Sequence, residues 1–376
     1  MIAALILLAL VAGSLVYCAL TVIAAVRYKR VRPPELHSAP PISILKPLSG
    51  AEDGLEENLA SFFEQQYPRF EILFAVREAS DPAVAVVEKV RARFPGVPSR
   101  ILTTGEPPYP NVKVFKLDRM LEAAQYDLLV MADSDVRFAP GALQRLAAEF
   151  EDPAVGLSTC PYRAVPGKGL WSLLEAIGLN TQFLGGVLVA RMLEGMKFAV
   201  GPTITARRAA ILEIGGWEAL HEYLAEDFVL GKRVAESGRQ VILSSCVIEH
   251  HIGGQPFVPN FKHRLRWRRS TRRSRPWGYV GELFTNPLPP ALALCLLKPE
   301  WWPVGAVTAA LRALSGWATA GYVLRDPLTA RFWALTPLQD FADFAVWVCG
   351  FFGKTILWRG RKYHLLPDGR FRLIEP

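Results

Sequence analysis

Cysteine is scarce and dispersed. The chain has five, Cys18, Cys160, Cys246, Cys295 and Cys349, with no close pair. That scatter excludes a disulfide framework and a zinc knuckle, and reads as a reduced, incidental set of thiols. The doublet His250-His251 has no partner at metal-ligand spacing elsewhere and reads as structural. Internal repeats and low-complexity tracts are absent. Acid is in deficit, with 35 Asp and Glu against 43 Lys and Arg, a net charge of +8. Much of the surplus base lies beside apolar segments. This placement suits an anionic membrane surface or a phosphorylated substrate better than duplex nucleic acid, so no nucleic-acid partner is expected.

Apolar sequence is what the chain has in excess, at 51% of 376 residues, and it collects at the two ends. A chain of this length exceeds one ordinary domain. Residues 1–32 read as a transmembrane anchor with a basic flank. Ile2 to Val26 is uncharged and long enough to cross a bilayer. It is too long for the apolar core of a signal peptide, the competing reading, and Val11-Ala12-Gly13 is a poor cleavage site. Arg27, Lys29, Arg30 and Arg32 then hold the downstream side in the cytoplasm. Residues 33–279 read as a globular domain. Within it, 171–198 turns apolar again, which fits an interfacial segment or an ordinary core helix. Residues 280–376 read as a C-terminal membrane region and cytoplasmic tail. Trp302 to Leu324 and Phe341 to Trp358 are its candidate spans, and Pro287 to Leu297 is a shorter, re-entrant third. Arg312, Asp340 and Asp343 lie in or beside them and should face other helices, not lipid. Arg359, Arg361 and Lys362 place the C-terminus in the cytoplasm, which demands an even number of C-terminal crossings.

Between the ends, strand and helix patterns alternate. Ile42 to Leu45, Phe70 to Val76, Ser99 to Thr103 and Asp127 to Ala132 read as strands. Leu55 to Gln66, a segment opened by Asp81-Pro82, and Val112 to Ala124 read as helices. This order predicts an α/β domain with a mostly parallel sheet, whose ligands bind beyond the carboxyl ends of the strands.

Asp133-Ser134-Asp135 stands at such an end, after the buried run Leu128 to Ala132. Two carboxylates there repel unless a cation bridges them. Mg²⁺ or Mn²⁺ shared with a substrate diphosphate does so, because hard cations prefer oxygen ligands. A turn with a helix cap before Pro140-Gly141 fits the same triplet. Asp81 is explained by capping alone. Glu226-Asp227 opens a helix, where the dipole should keep a carboxylate ionised, as a general base requires; a capping acid is the bland reading. The densest basic run holds Arg264, Arg266, Arg268, Arg269, Arg272, Arg273 and Arg275. A lipid-facing polybasic patch accounts for most of it. The embedded Trp267, beside Arg266, does not fit that account, since Arg grips diphosphates and Trp closes over sites.

Together these acids and Arg266-Trp267 resemble the pattern of GT-A glycosyltransferases of the ceramide glucosyltransferase type, family 21, close to family 2. Further stretches are similar in the same order: Ile44-Leu45-Lys46-Pro47-Leu48, Asn58 to Phe63, Ser80-Asp81-Pro82, Asn111-Val112-Lys113, Cys160-Pro161-Tyr162 and Ala225 to Phe228. Ser274 to Tyr279 and the tail Trp358-Arg359-Gly360-Arg361-Lys362-Tyr363 are similar to the bacterial hopanoid-biosynthesis branch. The resemblance implies a Rossmann-like catalytic domain flanked by transmembrane helices. It also implies inverting transfer of N-acetylglucosamine or glucose from a UDP-sugar to a lipid hydroxyl, at the cytoplasmic face of the inner membrane. Lys46, Asp81, Asn111, Lys113 and Asp133 would bind the nucleotide sugar, and Asp133 and Asp135 the Mg²⁺ or Mn²⁺. Asp227 would be the base, with Arg266 and Trp267 supporting the diphosphate and the acceptor. The first position of the Gln-or-Arg-x-x-Arg-Trp motif is His263 here. A processive polysaccharide synthase and a membrane-tethered scaffold are the rival readings.

Overall fold

The computed structural model describes residues 1–358 and 361–375; Arg359 and Gly360 of the tail lie outside them. In chain order, α1 (Ile2–Lys29) precedes β1 (Ile42–Pro47), α2 (Leu55–Phe63), β2 (Phe70–Val76), α3 (Pro82–Arg93), β3 (Ser99–Thr103), α4 (Val112–Ala123) and β4 (Leu128–Ala132). Then come β5 (Val136–Arg137), α5 (Ala142–Ala148), β6 (Val155–Thr159), β7 (Tyr162–Pro166), α6 (Leu170–Gly178), α7 (Leu184–Glu194), β8 (Thr203–Arg207) and α8 (Arg208–Glu213). The chain continues with α9 (Glu226–Glu236), β9 (Gln240–Leu243), β10 (Ile248–Ile252) and α10 (Phe257–Ser274). It ends with α11 (Pro276–Gly281), α12 (Leu288–Leu297), α13 (Trp302–Gly316), α14 (Pro327–Arg331), α15 (Thr336–Gly350), β11 (Thr355–Trp358), β12 (Arg361–Leu365) and β13 (Phe371–Glu375).

The main sheet runs β3-β2-β1-β4-β8-β6-β9, and only β8 is antiparallel to its neighbours. The expected mostly parallel α/β sheet is therefore present. β1, β2 and β4 are buried nearly throughout, as strands covered by helices on both faces must be. Parallel register, with Ile42 opposite both Phe70 and Leu128, brings the carboxyl ends of β1, β2 and β4 to one edge. There the loops carrying Leu48–Gly50, Asp81 and Asp133 emerge together. A second small sheet, β5-β10-β7, sits beside that edge.

α1 buries a single stripe, Val11, Ser14, Cys18, Thr21, Ala25 and Tyr28, and exposes Leu5, Ile6, Val16 and Ile23. Small residues on the stripe permit close packing in lipid. A Cβ on Gly185 of α7 would lie 3.2 Å from Thr21. Tyr28 ties the inner end of α1 to the globular domain by donating to the Ser244 carbonyl at 2.5 Å.

α6, a π-helical segment Leu179–Phe183 and α7 form one apolar helix, Leu170–Glu194, long enough to cross a bilayer by length and composition. It does not cross. β7 at its start pairs with β10, and β8 at its end pairs with β4, so both ends return to the same globular body. The helix packs against α1 through α7 and against α15 through α6. Of the two predicted C-terminal spans, Trp302–Leu324 is one helix, because a π-helical turn, Trp317–Val323, prolongs α13. Phe341–Trp358 is not. α15 ends at Gly350, positive-φ Gly353 turns the chain, and Thr355–Trp358 is a strand. Alternating Tyr, Leu and Phe side chains on β11, β12 and β13 close a small core of their own, with Ile356, Tyr363, Leu365 and Phe371 buried.

The ionisable groups among the C-terminal helices face one another. Arg312 holds Asp340 through two bonds of 2.8 Å, and Gln182 reaches Asp340 at 3.2 Å. Asp343 accepts from Arg264 at 2.9 Å and Arg268 at 2.5 Å. Arg269 and Arg272 donate to backbone carbonyls between Phe351 and Thr355. Much of the arginine run is therefore spent inward, tying α10 to α15, and not on a lipid-facing patch. The reason is that the α15 carboxylates and frayed carbonyls, distant in sequence, need donors in an apolar setting.

Candidate active site

Asp133 leaves β4 at the ligand-binding edge of the sheet. Lys113, one residue inside α4, places its ammonium 2.7 Å from Asp133 Oδ1 and 3.2 Å from Glu226 Oε1. Burial works against that ammonium, but Asp133 and Glu226 outweigh it and raise its pKa. Asn111 caps α4 by accepting from the Val114 amide at 3.1 Å, and its amide donates to the Tyr223 carbonyl at 2.8 Å. It therefore acts through α4 and the segment before α9. Lys113, Asp133, Glu226 and Asp227 line one small cleft with Pro47, Gly201 and Trp217.

Asp227, on the first turn of α9, crosses the cleft toward Gly201. A Cβ there would sit 2.8 Å from Asp227 Oδ2, so glycine is what lets the carboxylate approach. The helix dipole alone does not govern this group. Burial first, and then the Glu226 charge beside it, push the Asp227 carboxyl up to about 7, against Lys113.

Asp135 is fixed from behind. The His250 imidazole lies 3.0 Å from Asp135 Oδ2, and the His251 amide donates to the Asp135 carbonyl at 2.7 Å. Burial opposes ionisation, yet His250 and Lys46 hold the Asp135 carboxyl below its usual range. Its Oδ1 is buried with no hydrogen-bond partner among the described residues. That orphaned acceptor, next to Asp133, fits a cation or donor brought by a ligand. His250 is thus a site residue that sequence spacing missed; only its place on β10, which pairs with β5 directly after Asp135, reveals it.

Lys46 differs from its expected place at the nucleotide sugar. It is fully buried, over the Phe62 ring at 4.0 Å, and donates to the Asp133 carbonyl. Burial lowers its pKa to about 7. It supports the Asp133 loop from beneath. Asp81 caps α3, with Oδ1 accepting from the Ala83 and Gly50 amides at 2.9 Å each. It stands at the ligand-binding edge but does not line the cleft with Asp133. Arg266 and Trp267 lie on α10, also outside that cleft. The Trp267 ring tilts against His263 at 4.5 Å, and burial followed by the Arg266 charge drops His263 to about 3, leaving it neutral.

The profile of Glycosyl transferase family 21 matches residues 4–371. Ceramide glucosyltransferase 1 of Caenorhabditis elegans is 25% identical over 343 residues, 89% of this chain and 73% of that protein. An uncharacterized protein of Mycobacterium tuberculosis is 28% identical over 338 residues, 81% of this chain and 92% of its own. Among solved structures, a mannosyltransferase from Pyrobaculum calidifontis in complex with GDP-Man and Mn²⁺ superposes with a TM-score of 0.55 at 18% identity. That likeness covers 92% of this chain and 99% of the other, and shows a shared GT-A fold. With α1 as its apolar anchor and a family match over nearly its whole length, the chain is a membrane protein, a hexosyltransferase that belongs to glycosyl transferase family 21.

Proposed function

We propose that the enzyme moves N-acetylglucosamine or glucose from a UDP-sugar to the hydroxyl of a membrane lipid, a hopanoid polyol or ceramide-like molecule, with inversion at the anomeric carbon. The observation that carries this reading is the meeting of Asp133 and Asp227 in one cleft at the carboxyl edge of the sheet. Asp227 removes the proton from the acceptor hydroxyl, the oxygen bonds to the anomeric carbon, and the bond to the diphosphate breaks with its electron pair leaving on UDP. Arg266 and Lys113 supply positive charge near the leaving diphosphate, and Trp267 flanks the acceptor. Lys46 and Asn111 contribute by holding the Asp133 loop and the start of α4, and Asp81 by ordering the loop at the uridine end.

Asp133 and Asp135, with the free Oδ1 of Asp135, suit Mg²⁺ or Mn²⁺. Among the described residues no third acidic, His or Cys ligand joins them. A site of one or two carboxylates completed by substrate phosphates is the usual habit of such ions. When bound, the ion offsets charge on the departing diphosphate.

The inner membrane is the proposed location, with several spans and a cytoplasmic catalytic domain. α13 runs the length of α1: Val304 packs with Val11 and Leu294 toward one end, and Lys29 lies 5.8 Å from the Tyr322 ring at the other. We read the bent pair Pro276–Thr285 and Leu288–Leu297 as one crossing, and α13 with its π-helical extension as the return crossing that would bring the chain back to the cytoplasm. The test is mass spectrometry of lipids made by purified enzyme from a panel of UDP-sugars. Asp227→Asn should abolish transfer while UDP-sugar binding persists; normal turnover in that variant removes the assignment.

A further inference from the structure

The C-terminal strands do not trail from the membrane helices. β11, β12 and β13 bury one face, Ile356, Tyr363, Leu365 and Phe371, around Leu224, three residues ahead of Asp227. The edge of this sheet continues into the same segment. The Phe371 amide donates to the Glu222 carbonyl at 2.8 Å, Tyr223 and Arg370 form an antiparallel bridge, and the Arg370 guanidinium donates to the Glu222 carboxylate at 3.1 Å. From the opposite side Asn111 grips the Tyr223 carbonyl.

Glu222 to Ala225 is thereby held between the cap of α4 and the C-terminal sheet, and it runs directly into α9. The start of α9 has little of its own to fix it. Its N-cap is Ala225, which makes no side-chain cap, and its first two residues are both acids. A helix start lacking a local cap takes its position from tertiary contacts. The sheet is also moored to α10. Arg269 donates to the Thr355 carbonyl at 2.6 Å, and Gly369 sits against Ser274, where a Cβ would come within 3.0 Å of Oγ.

We infer that the C-terminal sheet is a positioning element of the active site, with Arg370 as the positioning residue that, through Glu222, sets the depth at which Asp227 enters the cleft. This rests on Asp227 being the base. Arg370 pairs with Glu222 and Asp368, neither of which lines the cleft, and is partly exposed, so its removal leaves the donor site intact.

The test uses full-length enzyme in lipid nanodiscs, comparing Arg370→Ala, Glu222→Ala and the double variant. Each single change should lower kcat on the order of tenfold or more, because small misplacements of a reacting group are costly. UDP affinity, measured by calorimetry, and donor KM should stay as in the parent. The double variant should be no slower than either single, and Arg370→Lys should recover part of kcat. Parent kcat in both single variants overturns the proposal. So does a loss of UDP affinity matching the loss of kcat, since that reports general unfolding and not displacement of the base. If Arg370→Ala does not accumulate as folded protein, Glu222→Gln, which removes only the charge, carries the same expectations. Asp227→Asn runs alongside: turnover there sinks the base assignment, whereas a dead Asp227→Asn beside a fully active Arg370→Ala sinks only the clamp.

Discussion

In the proposed mechanism Asp227 takes the acceptor proton, which a carboxylate does only when ionised, so its position at about 7 should set the acid limb of the pH profile. The quantity to follow is kcat/KM, which reports the free enzyme. With one controlling proton, about a tenth of molecules carry ionised Asp227 at pH 6 and about nine-tenths at pH 8, a rise of roughly tenfold before the plateau. The sources of the shift make the expectation sharper. Glu226 raises Asp227 by like charge, so Glu226→Gln should move the inflection to lower pH. Lys113 lowers it, so Lys113→Met should move the inflection to higher pH. UDP release by enzyme in nanodiscs, followed between about pH 5.5 and 9, reads all three profiles. A flat acid limb in the parent, or a Glu226→Gln profile displaced toward higher pH, refutes the reasoning.

Breaking the buried Arg312–Asp340 pair from one side should cost about 3–5 kcal/mol, because the partner charge is left stranded. Asp340→Leu or Arg312→Met alone should show that loss by chemical denaturation in micelles. The double replacement should cost clearly less than either single; additive losses would contradict the pairing. His250→Ala should weaken Mn²⁺ binding about 10–100-fold by freeing Asp135, as removing a ligand's hydrogen-bonded support does elsewhere. Titration by electron paramagnetic resonance with UDP present measures this, and unchanged affinity counts against the His250 contact. Asp81→Ala should lose roughly 1 kcal/mol of stability with the α3 cap and also weaken UDP binding by loosening the Gly50 loop. A stability loss at unaltered UDP affinity would leave capping as its only task.

Much of the architecture is written locally. β2 and β3 fall at the boundaries their β-branched and aromatic runs predict, and Asp81-Pro82 marks a helix start by cap chemistry that operates within three residues. Asp133 and Asp227 are legible for a related reason: acids at a strand end and a helix start are conspicuous. What local pattern does not carry is pairing across the chain. His250 looked idle because its partner, Asp135, lies 115 residues away and reaches it through β5 and β10. Lys46 resembled a ligand-binding cation because spacing says nothing of the Phe62 ring over which it is buried. The arginines after Trp267 resembled a membrane patch because their acceptors, Asp343 and the carbonyls around Phe352, lie beyond four further helices, α11 to α14. Residues Phe341–Trp358 have the apolarity of a span, but Gly353 breaks the run, and the aromatic side chains that follow serve a sheet.

The helix Leu170–Glu194 begins and ends beside strands of the catalytic domain, β7 and β8. Under the proposed topology the domain is seated on one leaflet, with its cleft above the head groups of that leaflet alone. An acceptor molecule can be glycosylated with its tail still in place, and the finished glycolipid remains where its precursor stood. With the proposed cytoplasmic orientation, display of such a product on the opposite surface would demand a separate flippase, and a cell lacking one should accumulate the sugar-bearing lipid on the inward surface.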